Sequence, residues 1–420
     1  IQWLLEDIRP NYHSISDFRK NNPIALKNLF RLFVSFLKDA DLVGGETIAI
    51  DGTKSRAHNS KKANFNQKKI DKHLEYIETK TQEYLNALEE NDTKENSSEI
   101  KNIQQKIERL QQNKLRYELL EEKLKASGEP QISTTDSDAR ALLVQGQVVE
   151  ISFNIQAAVD AKHNLVVATH TINKNDRSAL SAIAIEAKEN LGIGTYTALV
   201  DKGYHNGKQI EICKQSNITT IVAQPEQGKS NENGTTTDYL VSKFQYDKTT
   251  DSYTCPQGET LKTTGSWHKK TTDRDSYEFK KYRTSKCKEC SVKHLCTSRV
   301  AGREIDRSQY ADAVEENNKR YQANAQLYRK RQEINEHIFG TIKRQWGYNH
   351  TNLTGLEKVN GEHSLIMLVY NIKRSINILG VPELTAKLQK WNSPYKARVL
   401  FLIKTSYLKL TARRNFYSMK

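Results

Sequence analysis

The sequence predicts a mixed α/β fold, because strand-like alternation occurs in one part of the chain and helical periodicity in others. Apolar residues alternate with other residues from Val149 to Val159, and a second apolar run extends from Leu165 to Ile172, which indicates two antiparallel strands. Apolar residues recur instead at helical spacing from Leu26 to Leu37 and from Leu365 to Ile376. Both types of secondary structure are therefore expected in one chain.

Length and charge narrow the class of protein. A chain of 420 residues is expected to hold two or three domains. Its 65 Lys and Arg against 50 Asp and Glu give a net charge of +15, for which nucleic acid is the simplest partner and a solubilising surface the alternative. No apolar run approaches the ~20 residues of a membrane span, and no signal peptide is recognisable, so a cytoplasmic protein without a membrane partner is expected. Because the first residue is Ile rather than Met, N-terminal residues are expected to be missing.

Helical segments precede and interrupt the predicted sheet. Residues 1–45 are typical of a helical N-terminal subdomain. Residues 59–130 form a polar insertion in which apolar residues recur every seven positions on both sides of a polar break at 91–98. This pattern predicts an antiparallel coiled-coil hairpin. Such a hairpin can bind DNA, bind a second subunit or brace the fold.

The sheet is expected to form from residues 46–58 and 140–224. With the insertion removed, the elements run strand, two antiparallel strands, helix, strand, helix, strand, which is the order of a ribonuclease H-like domain. Asp51 ends the first predicted strand and Asp201 ends the fourth, and Asp176 is a candidate N-cap of the helix between them. In that fold the two strands are neighbours, so the Asp51 and Asp201 carboxylates are expected to converge. A turn-forming Asp-Gly pair is the alternative for Asp51.

Residues 225–310 contain a linker rich in Gly, Asn and Thr, followed by short hairpin-like strands and clustered cysteines. In a reducing compartment such clustering favours metal binding over disulfides. The Cys-x2-Cys pair with two further cysteines predicts a four-thiolate structural zinc site, in which His294 is a possible substitute ligand. Unmetallated thiols in a small insertion are the alternative. The candidate zinc ligands are Cys255, Cys287, Cys290 and Cys296.

A basic amphipathic helix is predicted at residues 328–347, within a helical segment at 311–380 that precedes a basic tail at 381–420. Glu336 falls at the edge of its apolar face, whereas Glu333 points fully outward. Lys343 lies two turns on, within roughly 20° of Glu336 at 100° per residue. An acid at the edge of a core face and among basic side chains suits a metal ligand that acts on a phosphate backbone. Solvated charges on an ordinary amphipathic helix are the alternative.

Asp51, Asp201 and Glu336 are the candidate catalytic residues. Carboxylate oxygens suit Mg²⁺ or Mn²⁺. Two such ions about 3.5–4 Å apart can activate a water or a sugar hydroxyl on one side and stabilise the leaving 3′ oxygen on the other. The three acids therefore predict a metal-dependent reaction on a nucleic-acid backbone.

The segments that hold these acids resemble the three acidic motifs of bacterial insertion-sequence transposases of the DDE class, in the branch with a Cys-bearing insertion before the Glu helix. The segments are Ile50-Asp51-Gly52-Thr53-Lys54, Val200-Asp201-Lys202-Gly203-Tyr204 and the ten residues from Asn335 to Arg344. In related transposases the third motif reads Tyr, two residues, Arg, three residues, Glu, six residues, Lys. Tyr328, Arg331, Glu336 and Lys343 follow this pattern, except that the gap between Arg331 and Glu336 is one residue longer.

The resemblance implies a DNA transposase with a ribonuclease H-like catalytic domain, which hydrolyses the element ends and transfers the freed 3′ hydroxyl into target DNA. It implies that Asp51, Asp201 and Glu336 hold the metal ions, and that DNA is contacted by Lys343, Arg344, Arg331 and Tyr328. Double-stranded transposon ends and target DNA are the expected partners of a homodimer that is nucleoid-associated when bound to DNA. Two alternatives remain open: a metal-dependent nuclease without strand transfer, and a non-enzymatic basic coiled-coil DNA-binding protein whose acids are structural.

Overall fold

A computed structural model describes residues 10–58, 61–92, 97–144, 148–225, 235–271 and 276–391. The chain divides into two units, the first formed by residues 1–196 and 331–420 and the second by residues 197–330. The helical pattern predicted at residues 1–9 and the basic tail from 392 to 420 lie outside the described residues. Within the described ranges, no helix has both the length and the apolar character needed to cross a membrane.

The first unit begins with two helices and a strand. Helix α1 (Tyr12–Asn21) is capped by Asn11, whose side-chain oxygen accepts a hydrogen bond from Ser14 N at 2.8 Å. Helix α2 (Pro23–Asp39) has proline at its first position, which suits a helix N-terminus, and buries the apolar face that its sequence predicts. Strand β1 (Thr47–Arg56) follows.

A pair of long helices interrupts the sheet at the predicted place. Its elements are β2 (Asn64–Phe65), α3 (Gln67–Asp92), α4 (Ser97–Ser127) and β3 (Ile132–Ser133). The helices run antiparallel, because Gln67 bonds to Glu121 at 2.7 Å while the Lys106 ammonium lies over the Tyr84 ring at 5.5 Å. The predicted helical hairpin is therefore present, and its coiled-coil supercoiling stays a prediction.

The sheet of the first unit is built around one long central strand. It contains β4 (Arg140–Val144), β5 (Val148–Asp160) and β6 (Leu165–Ile172), which precede helix α5 (Leu180–Leu191). Strand β5 pairs antiparallel with β1 on one edge and with β4 and then β6 on the other. Strand β4 is an element that the sequence pattern did not predict. Both faces of β5 are buried from Ile151 to Asp160, so its polar residues require partners inside the protein.

The second unit begins with the predicted strand, helix and strand: β7 (Tyr196–Val200), α6 (Gly207–Gln215) and β8 (Ile218–Val222). A small antiparallel sheet follows, with strands β9 (Gln245–Asp247), β10 (Ser252–Thr254), β11 (Thr260–Lys262), β12 (Trp267–Thr271), β13 (Ser276–Arg283) and β14 (Glu304–Ser308). Helix α7 (Lys293–Cys296) lies between the last two strands, and α8 (Ala311–Ala323) follows the sheet. The buried core of this sheet consists of Tyr239, Phe244, Tyr253, Leu261, Tyr282, Cys296 and Ile305.

The last described elements are α9 (Ala325–Phe339), a π-helical segment (Gly340–Gln345) and α10 (Leu356–Lys390). Helix α10 packs on α2 and β6, where the Asn371 side chain bonds to both the N–H and the carbonyl of Val166 at 2.8 Å. Gly380 interrupts α10 with a φ of 76° and a ψ of 163°, so the predicted helix end at this glycine is seen as a kink. Residues 381–390, which the sequence pattern assigned to the basic tail, are helical.

Candidate active site

Asp51 lies in the middle of β1, so the prediction that it ends the strand is wrong. The strand continues for five residues to Arg56, because β5 is long enough to pair with it throughout, from Ile48↔Asp160 to Arg56↔Ser152. Asp51 Oδ1 accepts a hydrogen bond from Gly52 N at 2.8 Å. A carboxylate held within a paired strand has a fixed position, which also argues against the turn-forming role.

Arg331 contacts Asp51 directly, although the two residues are 280 positions apart. Its Nη1 lies 3.3 Å from Asp51 Oδ2, and the two side chains are 15% and 29% exposed. The guanidinium is thus a cation beside the first candidate metal ligand. Arg331 was expected to contact DNA, and the structure gives it a partner within the protein.

Lys343 anchors the segment after α9 to the same strand. Its Nζ donates to Thr53 Oγ1 at 2.9 Å and to the Lys54 carbonyl at 2.7 Å, and burial lowers the pKa of the Lys343 ammonium. The expected alignment of Lys343 with Glu336 assumed a continuous α-helix. The π-helical turn that starts at Gly340 changes the angle per residue between Glu336 and Lys343, so the angle calculated for an α-helix does not apply.

Glu336 lies on α9, as predicted, in the stretch between Arg331 and Lys343. The buried residues of this helix are Ile334, Asn335 and Ile338, whereas Glu336 and Glu333 are both exposed. Glu336 Oε1 accepts a hydrogen bond from Gln332 Nε2 at 2.8 Å. Exposure alone therefore does not distinguish the proposed ligand from the proposed control residue.

Asp201 occupies the position that the sequence predicts, immediately after β7. It precedes a 3-10 turn at Lys202–Tyr204, and its carbonyl accepts a hydrogen bond from Tyr204 N at 3.1 Å. Asp201 belongs to the second unit, whereas Asp51 and Glu336 belong to the first. In the parts of the chain that the structure describes, no group of three or more His, Cys, Asp or Glu side chains is placed so that it could hold a metal ion. Convergence of the three acids stays a prediction.

The other candidate DNA contacts differ in exposure. Arg344 is exposed in the π-helical segment, where it is available to a ligand. Tyr328 is half-buried and packs edge-on against Tyr321, with ring centroids 4.9 Å apart. Of the two, Arg344 fits a phosphate contact, whereas the observed contact of Tyr328 is with another aromatic ring.

A polar network that sequence reasoning missed lies under Gly52. Asp176 Oδ2 is 2.7 Å from Lys54 Nζ, and its Oδ1 accepts hydrogen bonds from Asn154 Nδ2 at 2.7 Å and Gln156 Nε2 at 3.0 Å. Burial opposes ionisation of Asp176, but the Lys54 charge and these hydrogen bonds outweigh it and hold the pKa of the carboxyl below its usual value. The Asp176 side chain therefore braces β1 and β5 and is not the helix cap that was predicted. The sequence did carry a signal for this network. Asn154 and Gln156 lie on β5 between buried apolar residues, so their amides need partners inside the protein.

The clustered cysteines lie together in the second unit. None of the protein's five cysteines forms a disulfide, and the four predicted ligands line one cavity of about 30 Å³. His294 is exposed and is not among the residues that line this cavity, so its role as a substitute ligand stays a prediction. Cys213 lies apart, buried in α6.

Comparison with known families matches one segment of the chain. Residues 254–376 match the family model described as "Transposase DDE domain". The matched segment includes Glu336, Lys343 and the cysteine cluster, whereas Asp51 and Asp201 precede it. No curated protein and no solved structure matches the chain. Residues 254–376 are therefore similar to the transposase DDE domain family.

Proposed function

We propose that this protein is a DNA transposase that cleaves DNA at transposon ends and joins the freed 3′ end to target DNA, with Asp51, Asp201 and Glu336 holding Mg²⁺ or Mn²⁺. The main support is the transposase family match over the segment that contains Glu336 and Lys343. Further support is the contact of Arg331 and Lys343 with β1 at Asp51 and Thr53, which associates the Glu-bearing segment with the first acid. A net charge of +15 favours attraction to the DNA backbone.

The donor chemistry of the three acids fits a hard divalent cation, because carboxylate oxygens are its preferred ligands. Within the described residues no group of three such ligands is preformed, and binding of an ion at Asp51 is part of this proposal. Arg331 must then release Asp51 Oδ2, which it contacts at 3.3 Å. When bound, the divalent ions supply positive charge to the scissile phosphate and the departing oxygen.

The chemistry requires two successive exchanges of phosphorus–oxygen bonds. In the first, water attacks the phosphorus at the element end, the bond to the 3′ oxygen breaks, and the freed 3′ hydroxyl remains on the element. In the second, that hydroxyl loses its proton and attacks a target phosphorus, displacing a target 3′ oxygen. Each step forms one phosphorus–oxygen bond and breaks another, so no oxidant or energy source is required.

The basic residues divide into two groups in this proposal. Lys343 holds the catalytic segment against β1, because its ammonium bonds to Thr53 and Lys54. Arg344 is exposed and contacts the DNA backbone. Arg331 leaves Asp51 and follows the negative charge of the scissile phosphate. Two copies of the chain act on the two element ends.

A coupled cleavage and joining assay tests the proposal. Labelled DNA carrying the termini of the element that encodes the chain is incubated with Mg²⁺ or Mn²⁺ and a circular target, and cut ends and joined products are separated by electrophoresis. Metal-dependent formation of both products is expected. Cleavage without joining would instead assign a nuclease, and DNA binding without either product would assign a non-enzymatic DNA-binding protein.

A further inference from the structure

The four clustered cysteines reach a single cavity from three separate turns of the small β-sheet. Cys255 directly follows β10, Cys287 and Cys290 lie in the turn after β13, and Cys296 ends helix α7. All four line the same cavity, whose volume of about 30 Å³ admits little more than one small ion or water molecule. Side chains brought together from distant positions in this way form a set of soft sulfur donors, which Zn²⁺ prefers.

The backbone around Cys255 is arranged as a tight turn. Gly258 N donates to the Cys255 carbonyl at 2.9 Å, and Gly258 has a φ of 82°, which a side chain would disfavour. Glu259 N donates to Cys255 Sγ at 3.3 Å. This N–H···S contact fixes the position of Cys255 Sγ.

A second glycine turn lies beside Cys287. Gly302 has a φ of 94°, and a Cβ at this position would lie 2.5 Å from Cys287 Cβ. The turn at Gly302 therefore packs directly on Cys287. The next residue, Arg303, lines the cavity and donates to the Cys296 carbonyl at 3.3 Å, which places a cation among the sulfurs.

The small sheet is expected to require a cross-link for its stability, because its strands are short and its core is small. Strands β9, β10 and β11 have three residues each, and Cys255 packs against a core of seven buried side chains to which Cys296 belongs. Small units with limited cores are commonly stabilised by a metal or by disulfides, and no disulfide is present.

We propose that Cys255, Cys287, Cys290 and Cys296 bind one structural Zn²⁺ ion in this cavity. The described residues contain no preformed three-ligand metal group, so the four thiols must rotate inward to reach the tetrahedral distance of about 2.3 Å from zinc. The ion joins three turns of the small sheet. Its binding does not depend on the proposed DNA chemistry.

Metal analysis of the whole chain tests this site. The wild-type protein is produced in zinc-supplemented medium, and bound zinc is measured by inductively coupled plasma mass spectrometry and native mass spectrometry. One zinc ion per chain is expected. The Cys287→Ser and Cys290→Ser variants should lose it, whereas Cys213→Ser and His294→Ala should retain it, because neither Cys213 nor His294 lines the cavity.

A measurement on the unaltered chain covers the case in which the serine variants fail to fold. Cobalt replaces zinc in the wild-type protein, and tetrahedral thiolate coordination should give intense visible absorption that zinc abolishes. The proposal would be overturned if protein from zinc-supplemented medium contained no zinc and its four cavity thiols reacted freely with an alkylating reagent. Full zinc retention in a folded Cys287→Ser, Cys290→Ser double variant would overturn it as well.

Discussion

Arg331 Nη1 lies 3.3 Å from Asp51 Oδ2, so the first candidate metal ligand is paired with a cation from the helix that bears the third. The guanidinium and a divalent ion would compete for the same carboxylate oxygen. Metal binding at Asp51 therefore has to include the loss of this ion pair. This relationship makes Arg331 a residue whose removal should alter metal affinity in the absence of DNA.

Arg331→Gln should strengthen the binding of Mn²⁺ to the free protein. A partly exposed ion pair contributes about 0.2–1 kcal/mol, so the expected gain in affinity is roughly 1.5- to 5-fold. Calorimetric titration or electron paramagnetic resonance of free Mn²⁺ measures it. Arg329→Gln is the matched control, because Arg329 is exposed on the same helix. Equal or weaker binding by the Arg331 variant would show that Arg331 does not compete with the metal.

Gly52→Ala should destabilise the fold through the network under β1. A Cβ at Gly52 would lie 2.4 Å from Gln156 Nε2, 2.6 Å from Asp176 Oδ1 and 2.8 Å from Asn154 Oδ1. Gln156 Nε2 and Asp176 Oδ1 are hydrogen-bonded to each other, so the shift that the Cβ forces would disturb this bond, at an expected cost of about 1–3 kcal/mol in the free energy of unfolding. Urea unfolding followed by circular dichroism measures the cost. Gly194→Ala is the control, since its Cβ would meet no atom within 4 Å, and equal stability of the two variants would contradict the prediction.

Asp176→Asn should remove a pH-dependent part of the stability. The folded-state pKa of Asp176 is lowered, so its ionised form stabilises the fold above an unfolded-state pKa of about 3.9, and this contribution is lost as the pH falls through the folded-state pKa. The wild type should be about 1–3 kcal/mol more stable than the variant at pH 7, because Lys54 loses its charged partner. The difference should shrink below about pH 4. A difference that stays constant from pH 7 to pH 3 in urea titrations would refute the assignment.

Lys343→Met and Arg344→Gln should have different effects. Lys343 is half-buried and bonds to Thr53 and Lys54, so its replacement should lower the free energy of unfolding by about 1–3 kcal/mol. Arg344 is exposed, so its replacement should change stability by less than about 0.5 kcal/mol and reduce the salt dependence of DNA binding by about one phosphate contact. Chemical denaturation and binding at several salt concentrations separate the two effects. Similar destabilisation by both changes would contradict the division of roles.

The sequence alone located the elements of the site better than it located the contacts between them. The periodicity around Ile334 and Ile338 predicted α9, and the apolar run before Asp201 predicted β7. The Arg331–Asp51 pair was not predictable from pattern, because it joins residues 280 positions apart. The end of β1 was misplaced because the local Asp51-Gly52 signal is typical of a turn, whereas pairing with β5 keeps the segment extended.

Two further differences have local causes. The alignment of Lys343 with Glu336 was counted for an α-helix, and the π-helical segment that starts at Gly340 was not visible in the apolar spacing. Asp176 was assigned to a helix start because acids often occur there, but the buried amides of Asn154 and Gln156 offered it stronger partners. The polar residues that alternate along β5 indicated that Asn154 and Gln156 have partners inside the protein, because a strand buried on both faces must satisfy its amides internally.

The most direct test of the proposed function compares Glu336→Gln with Glu333→Gln in metal-dependent cleavage of transposon-end DNA, with DNA binding measured in parallel. Asp51→Asn and Asp201→Asn complete the set. We expect Glu333→Gln to cleave like the wild type, and the other three variants to bind DNA normally while losing cleavage by at least about 100-fold. Wild-type cleavage by Glu336→Gln, or its loss in Glu333→Gln alone, would contradict the assignment of Glu336 as the third acid.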